Sequence, residues 1–119
     1  PPVEPNAPRR TCGARLPMKD TAMIVLVAKY HVKPGQMDTV IGHLKEMAPL
    51  VQANEPGCAY YTASRARDDE NLLMLVEHYT DEDALAQHRE MPHFKDIIEG
   101  KVVPLLEKRE RELYDLTVG

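Results

Sequence analysis

A chain of 119 residues, 43% hydrophobic and 29% charged, has the length and composition of one compact globular domain and is too short for two. Its net charge of -4 argues against a nucleic-acid partner, which needs a basic face to neutralise phosphates, and no apolar run is long enough to span a bilayer. Two cysteines without CxxC spacing, Cys12 and Cys58, point to neither a disulfide scaffold nor a zinc site; with no apolar signal-peptide centre at the N-terminus, a reduced cytoplasmic protein is expected.

The opening stretch PPVEPNAPRRTCGARLPMKD holds half of the prolines and no periodic pattern. Residues 1–21 therefore read as an extended, basic arm or linker, expected to lie on a surface such as that of a second subunit. The domain proper is expected over residues 22–119. MIVLVAKYHV (Met23–Val32) is a continuous β-branched and apolar run, read as a central strand, and Lys33-Pro34-Gly35 is turn chemistry. Met37, Val40, Ile41, Leu44, Met47, Ala48 and Val51 then follow helical spacing. Pro49 is expected to bend that helix, and Asn54-Glu55-Pro56-Gly57 to end it.

CAYYTASRA (Cys58–Ala66) and LLMLVEHY (Leu72–Tyr79) read as a hairpin around the polar loop RDDEN. Thr80 and Asp83 resemble a capping box, placing a helix start near Asp81 and its end before Pro92. A short helix is expected over Val102–Glu107, limited by Pro104, and ELYDLTV (Glu112–Val118) as the last strand. The order β-α-β-β-α-β predicts an α+β, ferredoxin-like fold: an antiparallel sheet with two helices on one face. Leu72, Met74 and Val76 alternate with Leu73 and Leu75, so both faces of the third strand are apolar. With no helices left to cover the second face, a homodimer packed sheet to sheet is predicted.

Three of the five histidines fall in EHYTDEDALAQHREMPHF. Helical spacing groups His88 with Ala84, Leu85 and Met91, pointing it at the sheet, while strand alternation puts Glu77 on the face of Leu73, Leu75 and Tyr79. A carboxylate in an apolar strand needs a partner, and His88 is the nearest in this topology. Three readings stay open. Glu77 and His88 form a buried hydrogen-bonded pair tying helix to strand; or the pair, with His93 or a tyrosine, is an acid/base site lining a small-molecule cavity; or the histidines bind metal. The metal reading is the weakest, because His88-x4-His93 lacks one-turn ligand spacing and no other motif completes a shell. His31 and His43 read as solvated. Of Tyr60 and Tyr61 one must face the helices, and Cys58 reads as a small buried hydrophobe.

MIVLVAKYHVKPGQ, NEPGCAYY and LVEHYTDEDALAQHREMPHFK, in this order and spacing, resemble the antibiotic biosynthesis monooxygenase family, from about Met23 to Leu116. The resemblance implies a dimeric α+β barrel with a cavity between sheet and helices, adjoined by Glu77, His88, His93 and Phe94. Tyr61 would be the tyrosine after Pro-Gly-Cys, and Tyr79 would stand where many members carry tryptophan. Met74 is added as a residue shaping the pocket. It further implies an oxygenase working without flavin, haem or metal, in which a quinol-like or polycyclic phenol is the reductant and O2 the oxidant. In that scheme His88 acts as base, Glu77 orients it, and Tyr61 or His93 steadies the anion. The haem-degrading branch is not matched, since Ala28, His88 and Ile98 stand at its catalytic positions. A branch that processes a phosphorylated autoinducer is the alternative, with Lys29, Arg65 and Lys95 as candidate phosphate partners. A non-catalytic ligand-binding dimer is the third.

Overall fold

The computed structural model describes residues 23–119, so the predicted arm lies outside the described residues. Four strands and two α-helices follow in the order anticipated: β1 (Ile24–Val32), α1 (Met37–Asn54), β2 (Cys58–Arg65), β3 (Leu72–Tyr79), α2 (Glu82–Glu90) and β4 (Leu106–Asp115). The sheet is antiparallel with strand order β2-β3-β1-β4, the ferredoxin-like arrangement. Between α2 and β4 run a π-helix, Phe94–Val102, and one 3-10 turn, Val103–Leu105. Among the described residues no helix is long and apolar enough to cross a membrane.

The core follows from two periodicities. Met37, Val40, Leu44, Met47 and Val51 form the buried stripe of α1, and alternate residues of β1 and β3 (Ala28, Tyr30, Val32, Leu73, Leu75) form the sheet face beneath it. Each Val, Leu or Met side chain so withdrawn from water contributes roughly 1.5–3 kcal/mol. Pro49 lies inside α1 without ending it.

Two boundaries differ from expectation. The cap of α2 is Asp81 rather than Thr80: the Asp81 carboxylate accepts the Ala84 N–H at 2.8 Å, while the Thr80 N–H is taken by the Gly57 carbonyl at 2.9 Å. Of the helix predicted over Val102–Glu107, Val102–Leu105 are helical, but the last strand already starts at Leu106, and it stops at Asp115. The reason is tertiary. β1 offers a long unpaired edge, and from Ile24↔Asp115 to Val32↔Leu106 it recruits the polar run EKRER into the ladder.

That recruitment also changes the outer face of the sheet. Leu72, Met74 and Val76 share one face of β3 and lie there with Val25 and Val27, but Lys29, His31, Lys108, Glu110 and Glu112 share it too, and Nε2 of His31 lies 3.0 Å from Glu110. The apolar part of that face is a stripe along β1 and β3, not the whole sheet.

Candidate active site

The inner face of the sheet and the helices above it leave a cavity of about 290 Å³. β3 delivers Glu77 to it and places Tyr79 two residues on, on the same face, where the Tyr79 hydroxyl donates to Oε1 of Glu77 at 2.5 Å. β2 sets Tyr61 opposite Glu77 in register, and α2 brings down His88. Phe94, on the first turn of the π-helix, packs edge-on against the His88 ring at 5.0 Å between centroids. π-helical turns are uncommon and concentrate at functional sites; here the wider turn closes when the Val103 N–H returns to the Ile98 carbonyl.

His88 is held by a residue outside the histidine-rich segment. Its Nδ1 lies 2.7 Å from Oε1 of Glu55, and Nε2 of His93 lies 2.5 Å from the other oxygen, Oε2. Glu55, Glu77 and His88 are 5%, 3% and 3% exposed, so these contacts are made away from solvent. Burial pushes the Glu55 carboxyl up, but the hydrogen bonds from His88 and His93 outweigh it and hold the group below the ordinary carboxylate range. An ionised Glu55 only accepts, so each histidine must donate to it: His88 from Nδ1–H and His93 from Nε2–H. The tautomer of a neutral His88 is thereby set, and its Nε2 carries a lone pair. That nitrogen stands 3.8 Å from Oε1 of Glu77, beyond hydrogen-bond reach.

Glu77 has the opposite electrostatics. Burial raises its carboxyl, and the Tyr79 hydroxyl and His88 only partly oppose the shift. Burial followed by the Glu77 charge drives the Tyr61 and Tyr79 phenols far up, so both stay protonated donors. The site thus pairs an ionised carboxylate behind the imidazole with a reluctant one beside the cavity. Two carboxyls in unlike settings divide into one that orients and one that can hold a proton.

Comparison with known proteins agrees with this architecture. Residues 23–100 match the family described as antibiotic biosynthesis monooxygenase. This chain belongs to that family. A curated relative from Bacillus subtilis (strain 168), named "Putative monooxygenase YcnE", is 30% identical over 76 residues, covering 64% of this chain and 79% of its own. Among solved structures, a "putative antibiotic biosynthesis monooxygenase" from Caulobacter crescentus CB15 is 28% identical, with a TM-score of 0.77 over 82% of this chain and 92% of the other. A conserved protein from Methanosarcina mazei Go1 is also 28% identical, with a TM-score of 0.73 over 79% of this chain and 92% of the other.

Within this monooxygenase-family fold the predicted site residues separate. Glu77, His88, Tyr61 and Phe94 line the cavity. Tyr79 does not: it is wholly buried behind Glu77, whose carboxylate it holds. His93 turns away from the cavity to Glu55. Met74 is 39% exposed and lies on the outer face, opposite Lys29 and Ser64, because alternation along β3 puts it on the side away from Glu77. The expected Glu77–His88 hydrogen bond is replaced by two separate ones, Glu77 with Tyr79 and His88 with Glu55. Of the cations considered for a phosphate, Lys95 lines the cavity, Lys29 is on the outer face, and Arg65 lines a separate polar crevice with Gly35 and Asp38. Among the described residues no three His, Cys, Asp or Glu side chains are placed to hold a metal ion.

Glu55, Tyr30, Arg109 and Arg111 escaped the sequence reading. For Glu55 a signal existed: it follows the last turn of α1, where the helix dipole repels a carboxylate and where no basic side chain compensates. A carboxylate in that position implies partners elsewhere. For the arginines the signal was their spacing of two, legible only once EKRER is known to be strand.

Proposed function

We propose that the protein is a cofactor-independent monooxygenase acting on a quinol-like or polycyclic phenolic compound, with His88 as the base. One observation carries this reading: a histidine anchored through Nδ1 by a buried, ionised carboxylate has its other nitrogen beside a cavity of about 290 Å³. A cavity near 150 Å³ already accepts benzene, so two fused rings are a reasonable occupant.

Nε2 of His88 takes the phenolic proton, and Glu55 and His93 hold the resulting imidazolium in place. The ring anion passes one electron to O2, and the radical pair recombines at a ring carbon to give a hydroperoxide. The O–O bond then breaks as that carbon loses its hydrogen. One oxygen stays as a carbonyl and the other leaves as water: His88 has returned its proton to the peroxide, and the hydrogen lost from the carbon joins the departing hydroxide. For a naphthol the balance is phenol plus O2 to quinone plus water, with O2 as the sole oxidant. Tyr61, kept protonated, donates to the developing oxyanion, and the Phe94 ring excludes water from the imidazole. Family membership supports the reaction type.

The assembly we propose is a homodimer joined through the outer stripe of Val25, Val27, Leu72, Met74 and Val76. A reducing cytoplasm fits the scheme, since it keeps such substrates in the reduced, electron-rich state.

Oxygen consumption with menadiol-type quinols tests the activity directly. Uptake that vanishes in His88→Ala supports it; turnover untouched by His88→Ala removes His88 as base, and conversion of a keto-sugar phosphate without oxygen replaces the reaction altogether.

A further inference from the structure

β4 is an edge strand, yet the side it turns to the core carries arginines: Arg109 stands opposite Tyr30 and Arg111 opposite Ala28. Both line the cavity, as does Tyr30, which is 4% exposed. One inward charge suffices to blunt an edge strand against pairing. Two guanidiniums at alternate positions, both lining a single cavity, bring two planar donor groups to it instead.

The other charges around the cavity do not cancel this wall. Glu90 on the far side is taken by Lys95 at 3.2 Å, and Glu77, which accepts from Tyr79, is the acid whose charge Arg111 offsets. Arg89 adds a further cation, leaving Glu99 as the remaining acid. The β4 side therefore presents only positive charge, in a chain whose net charge is -4.

Tyr30 completes the wall. Arg109 stands opposite it in the ladder, and the charges of Arg109 and Arg111 both act on its hydroxyl. A guanidinium only donates, so neither arginine can accept the phenolic proton of Tyr30. Burial, then the Glu77 charge, pushes that phenol up to about 12, and it stays a donor across the physiological range. A buried donor facing a cavity calls for an acceptor.

We propose that Tyr30, Arg109 and Arg111 form a carboxylate-binding subsite, so that the substrate is an aromatic acid lying between β4 and His88. Guanidinium and carboxylate match as two parallel hydrogen bonds, which fixes the ring's orientation as well as its affinity. The phenolic end of this assignment rests on the function proposed above; the carboxylate end does not.

Binding of 3-hydroxy-2-naphthoate and of 2-naphthol, which differ only by the carboxylate, is compared by calorimetry on the full chain. The wild type binds the acid at least about tenfold more tightly. Arg109→Gln with Arg111→Gln brings the ratio to within about threefold, and Tyr30→Phe lowers affinity for the acid by about three- to tenfold. Both arginines are exposed, so the paired variant folds; a thermal melt checks it. Wild-type protein gives a second readout that needs no variant: the preference shrinks as ionic strength rises. A wild-type ratio near one, a ratio that survives loss of both arginines, or a preference indifferent to salt overturns the subsite. Oxygen uptake with 1,4-dihydroxynaphthalene is followed in parallel. No uptake beside an intact preference sinks the oxygenase and leaves the subsite; uptake beside a ratio near one does the reverse.

Discussion

Nδ1 of His88 lies 2.7 Å from Oε1 of Glu55, although the two residues are 33 positions apart in the chain. α2 supplies the imidazole and the turn after α1 supplies the carboxylate. Orientation of the proposed base therefore depends on how two helix ends meet over the sheet.

Glu55→Gln removes the charge that sets both histidine tautomers while keeping the shape. Turnover falls by about 10²–10⁴-fold, the usual contribution of a positioned base, and neutral-pH stability falls by about 1.5–3 kcal/mol for a charge-assisted bond. The sign with pH is fixed by the lowered carboxyl. The contribution of Glu55 is complete above the unfolded value of about 4.3 and is lost as pH falls through the lower folded value. Melting curves of wild type and variant should accordingly converge in acid and separate at pH 7.

Glu77 works in the other direction. Its folded-state carboxyl is raised, chiefly by burial. Below about 4.3 both folded and unfolded chains hold the proton and nothing is lost; as pH rises through the raised value, stability falls. Glu77→Gln can still accept from Tyr79, so it matches wild type in acid and exceeds it at pH 7 by about 1–3 kcal/mol. Tyr79→Phe, which strips Glu77 of its 2.5 Å donor, destabilises by about 1–3 kcal/mol, more at pH 7 than in acid. A Glu77→Gln variant less stable than wild type at pH 7 contradicts the raised carboxyl.

Gly57 matters for space, not for backbone freedom. A Cβ there would sit 2.5 Å from Cβ of Ala84 and 3.3 Å from Oγ1 of Thr80, and the Ala84 side chain has no flexible end to yield. Gly57→Ala pushes α2 off the Glu55 turn. Thermal unfolding should register a loss of about 1–3 kcal/mol, and activity should fall beyond what stability explains, because His88 rides on α2.

Met74 separates the two faces of the sheet. Met74→Glu puts a charge into the outer stripe while leaving the cavity lining intact. Sedimentation should show a dimer weakened toward monomer, with 2-naphthol affinity unchanged within about twofold in whatever monomer persists, as a surface-facing change far from the site allows. A variant that stays dimeric removes this face as the interface.

Much of this molecule was legible in one dimension. Alternation in LLMLVEHY and the helical stripe from Met37 to Val51 determine β3, α1, their inner faces and hence the ferredoxin-like order, because burial of one face leaves each element a single consistent register. The same rules sent His88 and Glu77 to one side of the sheet. They could not supply partners. Hydrogen bonds reach about 3 Å, and whether His88 meets Glu77 or Glu55 is decided by the docking of α2 on the turn at Gly57. Likewise, EKRER carries no strand signal of its own; it pairs because β1 presents an open edge. That pairing, made only in the tertiary structure, sets Arg109 and Arg111 on the cavity side of the sheet and charges one wall of the cavity.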